Sequence, residues 1–131
     1  MRKTGILNPD IISAIAALGH TDSLVIADAG LPIPEGVPCI DISLSKGIPS
    51  FKQVLKAVAK DLVVESFIIA EELPKKNSGV WKEIQSIMEG YHCKKIPHES
   101  FKEQTESAKV VIRTGESSPY ANIILIAGVN F

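Results

Sequence analysis

The chain is poor in most of the features that announce a chemistry at sight. It holds only two cysteines, Cys39 and Cys93, far apart and in no C-x-x-C pair. That excludes a disulfide scaffold and a thiolate metal site and makes the cytoplasm the expected compartment. Neither sign of charge dominates. Fourteen basic and 15 acidic residues leave a net charge of −1 with no basic stripe, so nucleic acid is not an expected partner. No apolar run approaches the ~18 residues that a bilayer span requires. Arg2-Lys3 is followed by Asn8, Pro9 and Asp10, which spoils a signal peptide, so neither a membrane span nor a leader is expected. The G-x-G-x-x-G, Walker, H-E-x-x-H and G-x-S-x-G motifs are also missing, which leaves nucleotide, zinc-protease and hydrolase readings without an anchor.

What is present reads as one soluble domain over residues 1–131. At 45% apolar and 22% charged, a chain of this length buries roughly two-thirds of its unfolded surface. Asn8 and Pro9 open a helix carrying Ile11, Ile12, Ile15 and Leu18 at helical spacing, and Gly19 stops it. Leu24-Val25-Ile26-Ala27 has the length and uniform apolarity of a strand covered on both faces. Pro32, Pro34, Gly36 and Pro38 then make residues 31–38 a rigid loop, and Cys39 to Leu44 alternates as a short strand. A helix from Pro49-Ser50 places Phe51, Val54, Leu55, Val58 and Leu62 on one side. Residues 65–70 form the next strand, with Glu71 and Glu72 at its carboxyl end. Those acids can face a site, but Pro74 to Gly79 favours a surface loop. A helix with Val80, Trp81, Ile84, Ile87 and Met88 ends at Gly90, and Trp81 reads as packing. A strand over 91–96, a helix over 99–107 and strands at 110–112 and 123–126 complete the order. Alternating strands and helices predict a three-layer α/β/α fold with a mostly parallel, mixed sheet. The short 115–122 connection makes the last strand antiparallel.

Few residues in this pattern can handle protons or bind a polar ligand. Asp28 ends the buried strand, where open α/β sheets hold ligands, although Ala29-Gly30-Leu31-Pro32 equally lets it organise a turn. His20 and His98 follow Gly19 and Pro97 at element junctions, and an imidazole with an unperturbed pKa of ~6.5 can give or take a proton near neutrality. His92 sits between Tyr91 and Cys93, where a surface role fits better. The 113–122 loop offers hydroxyls, Glu116, a phenol and a carboxamide. If the chain is extended there, Tyr120 and Asn122 point the same way. His20, His98 and Asp28 match no metal-ligand spacing, so no metal is expected.

Lys3-Thr4-Gly5-Ile6-Leu7-Asn8, Leu18-Gly19-His20-Thr21-Asp22, Ile26 to Pro34, Pro97-His98, Arg113 to Glu116 and Pro119 to Asn122 together resemble the ribose pyranase / fucose mutarotase family over nearly the whole chain. Asp28-Ala29-Gly30-Leu31-Pro32 and Tyr120-Ala121-Asn122 look like its ribose branch. The resemblance implies interconversion of the β-pyranose and β-furanose forms of D-ribose without a cofactor. It makes His20 the proton donor, with Asp28, His98 and Tyr120-Ala121-Asn122 binding the sugar. It also implies a homo-oligomer with sites between adjacent subunits, a decamer of two pentameric rings being the assembly to test. A mutarotase for another sugar such as L-fucose and a non-catalytic sugar-binding accessory protein are the alternatives.

Overall fold

Six strands form one sheet in the order β2-β5-β1-β6-β3-β4. The computed structural model describes residues 1–131 throughout. In chain order the elements are α1 (Pro9–Ala17), β1 (Ser23–Ala27), β2 (Cys39–Asp41), α2 (Phe51–Asp61), β3 (Val64–Ala70), α3 (Leu73–Lys76), α4 (Ser78–Ile87), β4 (His92–Ile96), α5 (His98–Thr105), β5 (Val110–Arg113) and β6 (Ile123–Ala127). β1 pairs with β5, β5 with β2 and β3 with β4 in parallel, while β6 lies antiparallel between β1 and β3. The expected mixed, mostly parallel sheet is therefore present. Its antiparallel member stands at the centre. No helix is long and apolar enough to cross a membrane.

Helices cover both faces, and the strand side chains alternate between two cores. Leu24 and Ile26 point into a large cluster with Ile11, Phe51, Leu55, Val58 and Ile84 from α1, α2 and α4. Val25 and Ala27 point into a smaller one around Phe101 of α5. Double coverage is why every residue of β1 is buried and why Leu24 to Ala27 is an unbroken apolar run. The edge strand β4 instead presents exposed Lys94 and Lys95, a composition that discourages pairing with another chain.

Local signals start the helices as expected. The Asn8 carboxamide accepts from the Asp10 and Ile11 N–H groups, and Pro9 needs no partner at the first helical position. Ser50 and Gln53 form a reciprocal capping box on α2, whose Phe51, Val54, Leu55 and Val58 are buried. Two boundaries differ from expectation by more than two residues. β2 stops at Asp41 rather than Leu44. The stretch read as a surface loop from Pro74 to Gly79 contains most of α3 and the first two residues of α4. Asn77 ends the first and caps the second by accepting from the Val80 N–H. Leu73 makes this possible, because it is fully buried and anchors α3 in the larger core.

Candidate functional site

β1 separates two of the residues singled out from the sequence. Asp28 directly follows its carboxyl end, and His20 precedes its amino end. Five strand residues at a normal rise hold the two edges of the sheet roughly 16 Å apart. Because β6 is antiparallel, its amino end shares an edge with the carboxyl ends of β1 and β3. That edge gathers Asp28, Asn122, Tyr120 and His98, whereas His20 lies on the other.

Asn122 is buried and reaches Asp28 twice. Its Oδ1 accepts from the Asp28 N–H at 2.8 Å, and its Nδ2 donates to Asp28 Oδ2 at 3.0 Å. The other oxygen, Asp28 Oδ1, accepts from the Gly30 and Leu31 N–H groups at 2.9 and 2.8 Å. The turn-organising role is thus real. A carboxylate offers about four acceptor positions, so three internal bonds leave room for one hydroxyl of a ligand.

His98 opens α5, and its backbone N–H donates to both oxygens of Glu72 at 3.1 Å. Its ring meets Tyr120 edge-on with centroids 5.0 Å apart and lies parallel to Phe101 at 6.3 Å. Nδ1 of His98 is buried without a partner in the chain, a polar atom that a ligand hydroxyl can satisfy. Tyr120 arrives here by a route the sequence did not foretell. Its backbone is left-handed at φ 57°, and the Asn122 N–H donates to the Tyr120 carbonyl at 2.8 Å. The segment is a tight turn, so the extended alternation expected for Tyr120 and Asn122 does not apply. Ala121 between them has its methyl buried in the larger core, leaving only its backbone to meet a ligand.

The rest of the 113–122 loop is framework. Thr114 Oγ1 donates to the Ala27 carbonyl at 2.8 Å, and the Glu116 carbonyl accepts from the Ala29 N–H at 2.8 Å, stitching the loop to the Asp28 turn. Glu116 Oε1 accepts from the Phe51 N–H at 3.0 Å, where a negative charge suits the start of α2. Its Oε2 accepts from the Ser118 hydroxyl at 3.0 Å. Only glycine fits at position 115, since a Cβ there would run into the Ser45 and Ile48 carbonyls.

On the opposite edge, His20 Nε2 lies 3.2 Å from Glu65 Oε1, both side chains being about half exposed. His20 lines a cavity of about 370 Å³ with Leu18, Val63 and the last residues from Ala127 to Phe131, most of it apolar. His92 is exposed on β4. Burial pushes both thiols, Cys39 and Cys93, above their usual range, so neither is a ready nucleophile. Asp41 is held below the usual carboxylate range, first by hydrogen bonds from Ser43 and then by Arg113. Lys102 does the same for Glu99 on the solvent face of α5. Glu72, read from the sequence as a surface-loop acid, and Asn77, which was not singled out, both hold the framework of this edge. An asparagine just ahead of an amphipathic helix was the available cue for the second.

A covered α/β sheet with a carboxylate, an imidazole, a phenol and a carboxamide at its carboxyl edge has the parts to bind a small polyhydroxylated ligand and to move protons on it. The chain belongs to the RbsD / FucU transport protein family, whose model matches residues 1–130. It is 52% identical over 131 residues to the D-ribose pyranase of Geobacillus thermodenitrificans, which covers 100% of this chain and 99% of that one. Its identity to the D-ribose pyranase of Halalkalibacterium halodurans is also 52%, with 100% of both chains covered. Among solved structures, Bacillus subtilis RbsD complexed with D-ribose matches with a TM-score of 0.97 at 46% identity, covering 100% of each chain.

Proposed function

We propose that this chain interconverts the β-pyranose and β-furanose forms of D-ribose, the activity of a D-ribose pyranase, in the cytoplasm and without a cofactor. The observation that carries the proposal is identity of 52% over the full chain to two D-ribose pyranases. The chemistry suits the residues. Opening the cyclic hemiacetal needs a proton taken from the anomeric hydroxyl and one delivered to the ring oxygen. Closing the other ring reverses both transfers with a different hydroxyl attacking the aldehyde. Positioned acid–base groups supply about 10²–10⁴-fold for such transfers. His20 is the proton donor in this reading. Asp28, His98, Tyr120, the Ala121 backbone and Asn122 hold the sugar.

One sugar is far smaller than the distance between the two edges of the sheet, so His20 cannot reach a ribose held by Asp28 in the same chain. A second copy that docks its His20 edge on the carboxyl edge of the first completes the site. Such contact is head-to-tail, and when its rotation closes it forms a ring. A decamer of two pentameric rings is one assembly of this kind.

Saturation-transfer NMR on equilibrated D-ribose tests the activity. Added protein should transfer saturation between the anomeric signals of β-pyranose and β-furanose. Line broadening from binding with no exchange between the two forms would instead identify a non-catalytic sugar-binding protein.

A further inference from the structure

We propose that α3 is a bracket that pre-sets the His98–Tyr120 ring pair, with Glu72 and Asn77 at its two ends as positioning residues. The inference rests on the functional reading above, which makes these rings part of the sugar site. α3 spans Leu73–Lys76, too short to persist through its own hydrogen bonds. It is held instead by the fully buried Leu73.

From one end, the Glu72 carboxylate takes the backbone N–H of His98 with both oxygens at 3.1 Å. This donor belongs to the first turn of α5, where a carboxylate is favoured, so Glu72 sets where His98 leaves the sheet. From the other end, Asn77 Nδ2 donates to Ser118 Oγ at 2.9 Å and to the Pro119 carbonyl at 2.7 Å. These are the two residues before Tyr120. Its left-handed backbone is uncommon for a side chain of that size and persists when the surroundings fix it. Asn77 Oδ1 meanwhile accepts from the Val80 N–H at 3.4 Å as the cap of α4. One rigid turn therefore grips both segments whose rings meet at 5.0 Å. Glu72 and Asn77 act through the backbones of those segments.

Asn77→Asp separates clamping from capping. A carboxylate caps a helix as well as a carboxamide does. It has no N–H for Pro119. The carboxylate then faces the Pro119 carbonyl with no proton to share, so the thermal midpoint should fall, but by less than in Asn77→Ala, which loses the cap as well. In sugar-free protein the His98 ring-proton shifts, set partly by the Tyr120 ring, should move. Ribose affinity should fall roughly three- to tenfold, the net worth of one hydrogen bond. Exchange at saturating ribose should keep its wild-type rate. Ser118→Ala should show a smaller change in the same direction. Unchanged His98 shifts together with unchanged affinity would overturn the bracket. So would an affinity loss matched by a fall in thermal midpoint as large as that of Asn77→Ala, which would mark a structural role only. If wild-type protein binds no ribose, the functional reading fails. A His98 shift in Asn77→Asp would still support the bracket.

Discussion

Asp28 and Asn122 form a pair whose two roles can be separated by exchanging their side chains. In Asp28→Asn, the new amide oxygen can still accept from Gly30 and Leu31, but its NH₂ then faces the NH₂ of Asn122, which now donates to Asp28 Oδ2 at 3.0 Å. Flipping the Asn122 amide only moves the conflict. Its NH₂ would then face the backbone N–H of residue 28, to which its oxygen now bonds at 2.8 Å. One donor–donor contact survives either way, beside an Asn122 that is 1% exposed. An unsatisfied buried partner costs about 1–3 kcal/mol. At about 4 °C per kcal/mol for a chain of this length, the thermal midpoint should fall by about 4–12 °C.

Asn122→Asp alone sets two carboxylates against each other. One of them is then pushed to titrate above the ordinary carboxyl range, so this variant gains stability as pH falls through that raised value. The double substitution Asp28→Asn/Asn122→Asp restores every bond. The new carboxylate at 122 accepts from the N–H and the new amide of residue 28, whose oxygen keeps the turn. Thermal melts of the four proteins at neutral pH should give a coupling close to the sum of the two single losses, and so larger than the about 1–3 kcal/mol of Asp28→Asn alone. Ribose titrations of the same set separate the roles. A double variant that melts like the wild type yet binds ribose poorly assigns the Asp28 charge to the sugar. Additive melts, with no rescue, would refute the reciprocal pairing itself.

His20→Ala should keep the fold, since His20 is about half exposed, and should slow pyranose–furanose exchange by about 10²–10⁴-fold; mixing it with inactive Asn122→Ala protein after dissociation and reassembly should restore part of the exchange seen by saturation-transfer NMR. No recovery in mixed assemblies would refute a site shared between copies. Ribose should shift a sedimentation dilution series toward the assembled state by mass action, and identical curves with and without sugar would argue against a subunit-spanning site. Ser43→Ala should raise the Asp41 carboxyl toward its ordinary range in a carbon-detected NMR titration, because Ser43 supplies the largest lowering influence. In the wild type this lowered carboxyl contributes stability above the ordinary carboxyl range and loses it as pH falls through the folded value; the side chain is 44% exposed, so the effect on melting is small. A Ser43→Ala titration indistinguishable from the wild type would leave the lowering to the residue-43 backbone N–H and to Arg113 and refute the role of the hydroxyl.

Much of the framework is a local matter, and the sequence determines it. Asn8-Pro9 and Ser50 with Gln53 start helices through side chains that reach only two or three residues along the chain. The unbroken apolar run Leu24 to Ala27 reads as a strand covered on both faces, and the short 115–122 connection favours an antiparallel β6, as found. The flanking of that run by His20 and Asp28 likewise follows from order alone, and so does their separation by the length of a strand. Which groups join each of them is a tertiary matter. Placing β6 between β1 and β3 brings Asn122 to Asp28 across 94 residues, a contact no local pattern encodes. Tyr120 shows the limit most sharply. Read as extended it would align with Asn122, yet the Asn77 clamp and the Thr114 and Glu116 bonds to the Asp28 turn bend it into a left-handed turn facing His98. Glu72 reads from the sequence as an acid opening a surface loop after a strand, and Asn77 as one more polar residue of that loop. They became positioning groups only because burial of Leu73 brings the ends of α3 against two distant segments, and hydrogen bonds between distant segments exist only once packing has set their separation.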